Sequence, residues 1–218
     1  MNKLLISILT LMTLFSFNPQ NEKEEFNCID FKFKSYQEQA DLLVAFMTQA
    51  QNSNSPEKEK LEKKFFCAFP DSFKGMQEIF GFDDVKGEAP LYNYPNGYNV
   101  IEYFGKLNSI PKDKYYEKFI NINLNGIWEA DNIVDAFGFS DRILNDSENA
   151  CASLNKRTDN EIISVFRFIF DGPHPINDTN KEIYNHLLPK IEKQNERLGK
   201  LLTESYNQIM DEYDGHGQ

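Results

Sequence analysis

The chain is predicted to be all-α, an irregular multi-helix bundle, and three observations carry that prediction. Apolar residues recur at three- and four-residue intervals through most of its 218 residues, which lines one face of a helix. Ser35–Glu38, Thr158–Glu161 and Thr179–Glu182 each have the capping-box spacing, in which a hydroxyl accepts from a free helix amide and the Glu reaches back to another. Proline and glycine fall between these periodic runs, where helices stop.

The first segment stands outside the bundle. Met1-Asn2-Lys3 leads into an apolar run, Leu4 to Phe17, and then into Asn18-Pro19-Gln20-Asn21 and the charged Glu22-Lys23-Glu24-Glu25. This is the pattern of a secretory signal, expected over residues 1–18. It falls short of the roughly 20 apolar residues of a membrane span. Ser16 is a small residue near the expected cut, but there is no A-x-A pattern, so an uncleaved anchor is the alternative. No cysteine directly follows the run, which argues against a lipid-anchored lipoprotein. No other stretch approaches spanning length. Residues 19–34 read as an extended lead-in, 35–213 as the helical domain and 214–218 as a disordered tail.

Within the domain, Tyr36, Ala40, Leu43, Val44 and Met47 share a face after the Ser35 box. Ser55-Pro56 reads as a new cap, with Leu61, Phe65 and Ala68 inward before Pro70. Asp71 is expected to cap a short helix carrying Phe73, Met76, Ile79 and Phe80, with Gly81 at its end. Residues 82–97 read as irregular. Helix resumes with Val100, Ile101, Phe104 and Leu107, and again after Pro111. Residues 120–128 are ambiguous: Ile120 to Leu124 alternate like a strand before the turn pair Asn125-Gly126, a possible short hairpin, but a helix ending at Gly126 accounts for the same residues and is favoured.

Asp131 is expected to cap Ile133, Val134 and Phe137, followed by a polar stretch and a short helix around Ala150, Cys151 and Leu154. The Thr158 box opens the clearest helix, with Ile162, Val165, Phe166 and Ile169 on one face and Gly172-Pro173 as its stop. A long segment from Thr179 to Tyr213 follows, and Pro189 is expected to kink or split it. Trp128 is expected in the core.

Hydrophobic content of 40% and aromatic content of 14% suffice for a core, and the net charge of -11 lacks the basic footprint that nucleic-acid binding requires. The acidity fits solubility or a basic protein partner. Three cysteines, Cys28, Cys67 and Cys151, leave one unpaired if a single bridge forms on export. Sequence leaves all three pairings open; Cys67–Cys151 is preferred because both lie in helical segments beside apolar neighbours.

The chain lacks a G-x-S-x-G, a Walker A loop, an H-E-x-x-H and a Rossmann glycine pattern, and nothing in it calls for a cofactor. No metal site is expected, since the cysteine spacings do not suit zinc and Asp83, Asp84 and Glu88 miss the EF-hand register. Of three histidines, His174 in Asp171-Gly172-Pro173-His174-Pro175 has a carboxylate close by that would orient an imidazole for acid–base work. His174 and Asp171 are therefore the alternative catalytic candidates. His186 lies one turn after Glu182, only two ligands toward a metal, and His216 falls in the tail. The loop Pro90-Leu91-Tyr92-Asn93-Tyr94-Pro95-Asn96-Gly97-Tyr98 is the candidate binding surface, because Tyr92, Tyr94 and Tyr98 offer contact area with few rotatable bonds.

The stretch from Phe65 to Phe73 and Phe80 to Asp83, with Leu91-Tyr92 and Gly126 to Asp131, resembles small exported bacterial proteins, some of them similar to periplasmic immunity proteins that neutralise toxins. The resemblance covers about half of the chain and carries over no functional residue. It implies an exported, periplasmic or extracellular binding protein, an immunity-type inhibitor of a basic effector or toxin. A small cell-envelope hydrolase built on His174 and Asp171 is the alternative function, and a structural envelope protein a third.

Overall fold

A computed structural model describes residues 26–28, 31–92, 97–129, 133 and 138–213. The expected leader at 1–18, the tail, Tyr94 and the cap at Asp131 lie outside the described residues. The fold is all-α. Its described helices are α1 (Tyr36–Gln51), α2 (Glu57–Ala68), α3 (Phe73–Phe80), α4 (Gly97–Gly105), α5 (Lys112–Asn123), α6 (Phe139–Asn145), α7 (Ser147–Leu154), α8 (Asp159–Phe170), α9 (Asp178–Gln194) and α10 (Glu196–Tyr213). Between α3 and α4, strands β1 (Phe82–Asp83) and β2 (Gly87–Glu88) form a small antiparallel hairpin pairing Phe82 with Glu88 and Asp83 with Gly87.

Helix α1 packs on α2 and touches α3 and α4, while α10 packs on α8 and α9. Helix α5 joins these two groups, since it meets α3 on one side and α7 and α8 on another. An aromatic column runs through the junction: Phe69 stacks on Phe104 at 4.2 Å, Phe104 on Tyr115 at 5.2 Å, Tyr115 on Phe119 at 5.9 Å and Phe119 on Phe139 at 4.7 Å. Each ring brings a large apolar area out of water, and the stacking fixes the helices' relative rotation.

The helix starts show which capping signals operate. Thr158 and Glu161 make the complete reciprocal box that their spacing predicts. At α1, Ser35 Oγ accepts from the Glu38 amide, but the Glu38 carboxylate reaches past it to the Lys34 amide, 2.6 Å away. Two of the predicted caps belong to neighbours, and α2 starts without a side-chain cap. The Ser55 hydroxyl donates to Glu59, Ser72 rather than Asp71 caps α3, and Asn177 rather than Thr179 caps α9 by accepting from the Asn180 amide at 2.7 Å. In the last two cases the true cap has extended backbone and a short acceptor side chain, the geometry an N-cap requires.

Pro189 does not split the long C-terminal segment, and α9 continues through it to Gln194. The break falls at Asn195, whose extended backbone ends α9 and whose side-chain oxygen accepts from the Leu198 amide to start α10. The two helices then close tightly, because a Cβ on Gly199 would lie 2.3 Å from Glu192 Cγ. The polar stretch expected before Ala150 is in fact helix α6, anchored by buried Phe139 and Ile143 after a left-handed Gly138.

No hairpin forms at 120–128. Helix α5 runs to Asn123 and ends before Gly126, because Asn125 takes a left-handed backbone and Gly126 is pressed against the Phe168 ring, 2.6 Å from where a Cβ would sit. The turn chemistry of Asn-Gly is therefore present without flanking strands.

The disulfide joins Cys28 to Cys67, with Cα atoms 5.3 Å apart, and Cys151 is free. The expected Cys67–Cys151 bridge is thus corrected. Apolar neighbours in two helical segments did not imply proximity: Cys151 belongs to α7, whereas residues 26–28 lie along α2, with Phe26 edge-on to Phe66 at 5.8 Å. Burial pushes the Cys151 thiol up to about 11, which keeps it protonated and unreactive.

Candidate interaction face

An open cleft of about 740 Å³ lies between helix α3 and the segment 121–129. The amphipathic pattern of α3 builds the first wall: Phe73, Met76, Ile79 and Phe80 are buried, which leaves Lys74, Gln77 and Glu78 on the cleft. The second wall is Asn121, Leu124, Asn125, Ile127 and Glu129. Gln77 Nε2 donates to a Glu129 carboxylate oxygen and ties the two walls together. Beyond the end of α5 at Asn123 the second wall is non-helical, held where Gly126 abuts Phe168 and the Trp128 amide donates to Asp171 Oδ2 at 2.7 Å.

The hairpin closes one end. The Asp83 carboxylate accepts from the Val85 and Lys86 amides at 2.9 and 2.8 Å, and these bonds hold its carboxyl below the usual range. Lys86 Nζ reaches back to Glu78 on α3 at 2.9 Å, and this hydrogen bond raises the ammonium above its ordinary value. Gly87, at φ +83°, supplies the left-handed step that returns the chain. Leu91 then locks the base, since it is buried and its amide donates to Ile79 O at 2.8 Å.

Three apolar side chains on this face stay in water: Phe82 is 44% exposed, Ile127 52% and Val85 94%. Phe82 and Ile127 line the cleft, and Val85 sits in the turn between the strands. Fully burying such a side chain is worth about 1.5–3 kcal/mol, and the fold leaves nearly all of that unrealised for Val85 and about half of it for Phe82 and Ile127.

The predicted tyrosines divide. Tyr92 is half-buried against Phe82, with ring centroids 5.6 Å apart, so it supports the hairpin base from behind. Tyr98 is exposed at the start of α4 and does not line the cleft. Phe82, Val85 and Ile127 are the exposed apolar residues of this face, and helical periodicity does not single them out. The turn-forming run Asp83-Asp84-Val85-Lys86-Gly87 was a readable signal, since an Asp followed by a glycine return favours a hairpin.

The catalytic candidates are not assembled. The Asp171 carboxylate is committed to the Trp128 and Gly172 amides, while the His174 side chain is exposed and no hydrogen bond joins the two. A separate cleft of about 260 Å³ takes in Asp171, Asn123 and Asn180 but not His174. Trp128, expected in the core, is half-buried. His186 is exposed on α9, and among the described residues no group of three or more His, Cys, Asp or Glu is arranged to hold a metal. No described helix is long and apolar enough to cross a membrane.

Comparison with family models, curated proteins and solved structures finds no match to this chain.

Proposed function

We propose that this chain is an exported acidic binding protein, an immunity-type inhibitor that engages a basic effector or toxin through the face formed by α3, the hairpin and residues 121–129. The observation that carries the reading is the exposure of Phe82 and Ile127 on an open cleft whose walls are held by hydrogen bonds from both sides. Rigid apolar groups already in position gain affinity on burial without a further ordering cost. The net charge of -11 would steer a basic partner toward the protein and weaken with added salt.

The test is affinity purification from cell-envelope extract with the natural protein and with a Phe82→Ser, Ile127→Ser double variant. The natural protein should retain a discrete basic protein that also binds it when both are purified. The double variant, unchanged in helical circular dichroism, should lose that protein. Repeated failure to retain any protein, or equal retention by the double variant, would remove this face from consideration.

A further inference from the structure

We infer that the β1–β2 hairpin is an insertion element, and that Val85 enters an apolar-floored, basic-rimmed pocket on the partner protein. This rests on the binding reading above and deepens it, by separating the inserted tip from the surrounding cleft.

Two features of the tip point this way. Val85 is 94% exposed in a turn, a position that Gly, Asn or Asp would fill at no hydrophobic cost. The tip is also held in shape independently of any partner, by the Asp83 bonds to the Val85 and Lys86 amides, by the Lys86–Glu78 pair and by the Phe82–Tyr92 contact. A tip held from both sides loses little conformational freedom on insertion.

Charge selects the occupant. The hairpin carries Asp83, Asp84 and Glu88 against the single cation Lys86, and Lys86 is drawn back toward α3 by Glu78. Carboxylates around an apolar tip match a pocket with an apolar floor and Lys or Arg at its rim. A second copy of this chain fits poorly, because two chains of net charge -11 repel and the same carboxylates would meet acidic ground.

The experiment places the photo-crosslinking residue p-benzoylphenylalanine at position 85, at position 127 in the cleft, and at position 193 on α9 as a control, in the full chain produced in its own cells. The expected result is a strong adduct from position 85 with one basic protein, mapped by mass spectrometry to a concavity flanked by Lys or Arg. Against that protein, once purified, Val85→Ala should weaken binding about ten-fold, the equivalent of losing two buried methyl-sized groups, and Val85→Asp more. Unchanged helicity and melting temperature of both variants would exclude misfolding.

An adduct from position 127 without one from position 85 would overturn the insertion and leave the binding reading standing. An adduct only with a second copy, or Val85→Asp binding as tightly as the natural protein, would also overturn it. No adduct from either 85 or 127 would overturn both.

Discussion

Two regions flank Asp71, and each departs from the usual rule of burial in the opposite direction. On one side, Lys118 is buried along a cleft that Cys28 and Cys67 also line. On the other, Phe82, Val85 and Ile127 are apolar and exposed. The buried ammonium is fully answered: Lys118 Nζ donates to Phe66 O and Phe69 O at 2.8 Å each, meets Asp71 Oδ1 at 2.7 Å and lies 4.8 Å from the centre of the Phe66 ring. Burial pushes its pKa down and Asp71 opposes that shift without cancelling it. Its geometry serves the fold, since it satisfies carbonyls at the C-terminal end of α2, where a cation is favoured. Among the described residues the exposed apolar trio is answered only in part, by the Tyr92 ring beside Phe82. A departure that is compensated internally is structural, and one left uncompensated points outward.

Stability measurements on single variants test this contrast. The largest effect is expected from Cys28→Ser. The bridge spans a sequence separation of 39, and loop-closure entropy for that length gives a loss of about 4 kcal/mol, read as a shift in the denaturation midpoint under non-reducing conditions. A loss below about 1 kcal/mol would mean that the segment around Cys28 is held by packing of Phe26 and Phe31 alone.

Lys118→Ala should follow, at about 3 kcal/mol in chemical denaturation, because two buried carbonyls lose their donor. Asp71→Asn should cost less than about 1 kcal/mol, as the Asp71 side chain is 76% exposed and its attraction is screened. If the two variants cost the same, the corner is held by the ion pair and not by carbonyl satisfaction.

The effect in the hairpin falls between those of Lys118→Ala and Asp71→Asn. Gly87→Ala should cost about 1–2 kcal/mol at most, from the positive φ alone, since nothing lies within 4 Å of a Cβ there. A cost as large as that of Lys118→Ala would make the hairpin part of the core and end the distinction between the two regions.

Much of the fold was legible in the residues themselves. Helical periodicity placed the inward residues of α2, α3, α4 and α8, and those of α1 apart from Tyr36, which is 47% exposed, and the Thr158–Glu161 box marked the start of α8. These signals are local: a capping hydroxyl and its amide lie three residues apart, and an amphipathic face repeats within one turn. Caps went astray where two acceptors were adjacent, as at Asp71 and Ser72, because Asp71 is drawn to Lys118, which lies far along the chain.

The candidate site was legible only in part. Tyr92 was found, but as the support of the hairpin, while its exposed members were not. Asp171 and His174 looked like a pair because they are near in sequence, yet the carboxylate turns to the Trp128 amide from another segment.

Local spacing by itself therefore determined that the chain is helical and most of the faces that turn inward, and composition that the molecule is acidic. Only the tertiary structure decided the Cys28–Cys67 pairing, the burial of Lys118 against two distant carbonyls and the exposure of Val85. The physical reason is range. Capping and periodicity act within a turn of helix, whereas a bridge, a buried charge and an exposed apolar side chain depend on which distant segments arrive beside them.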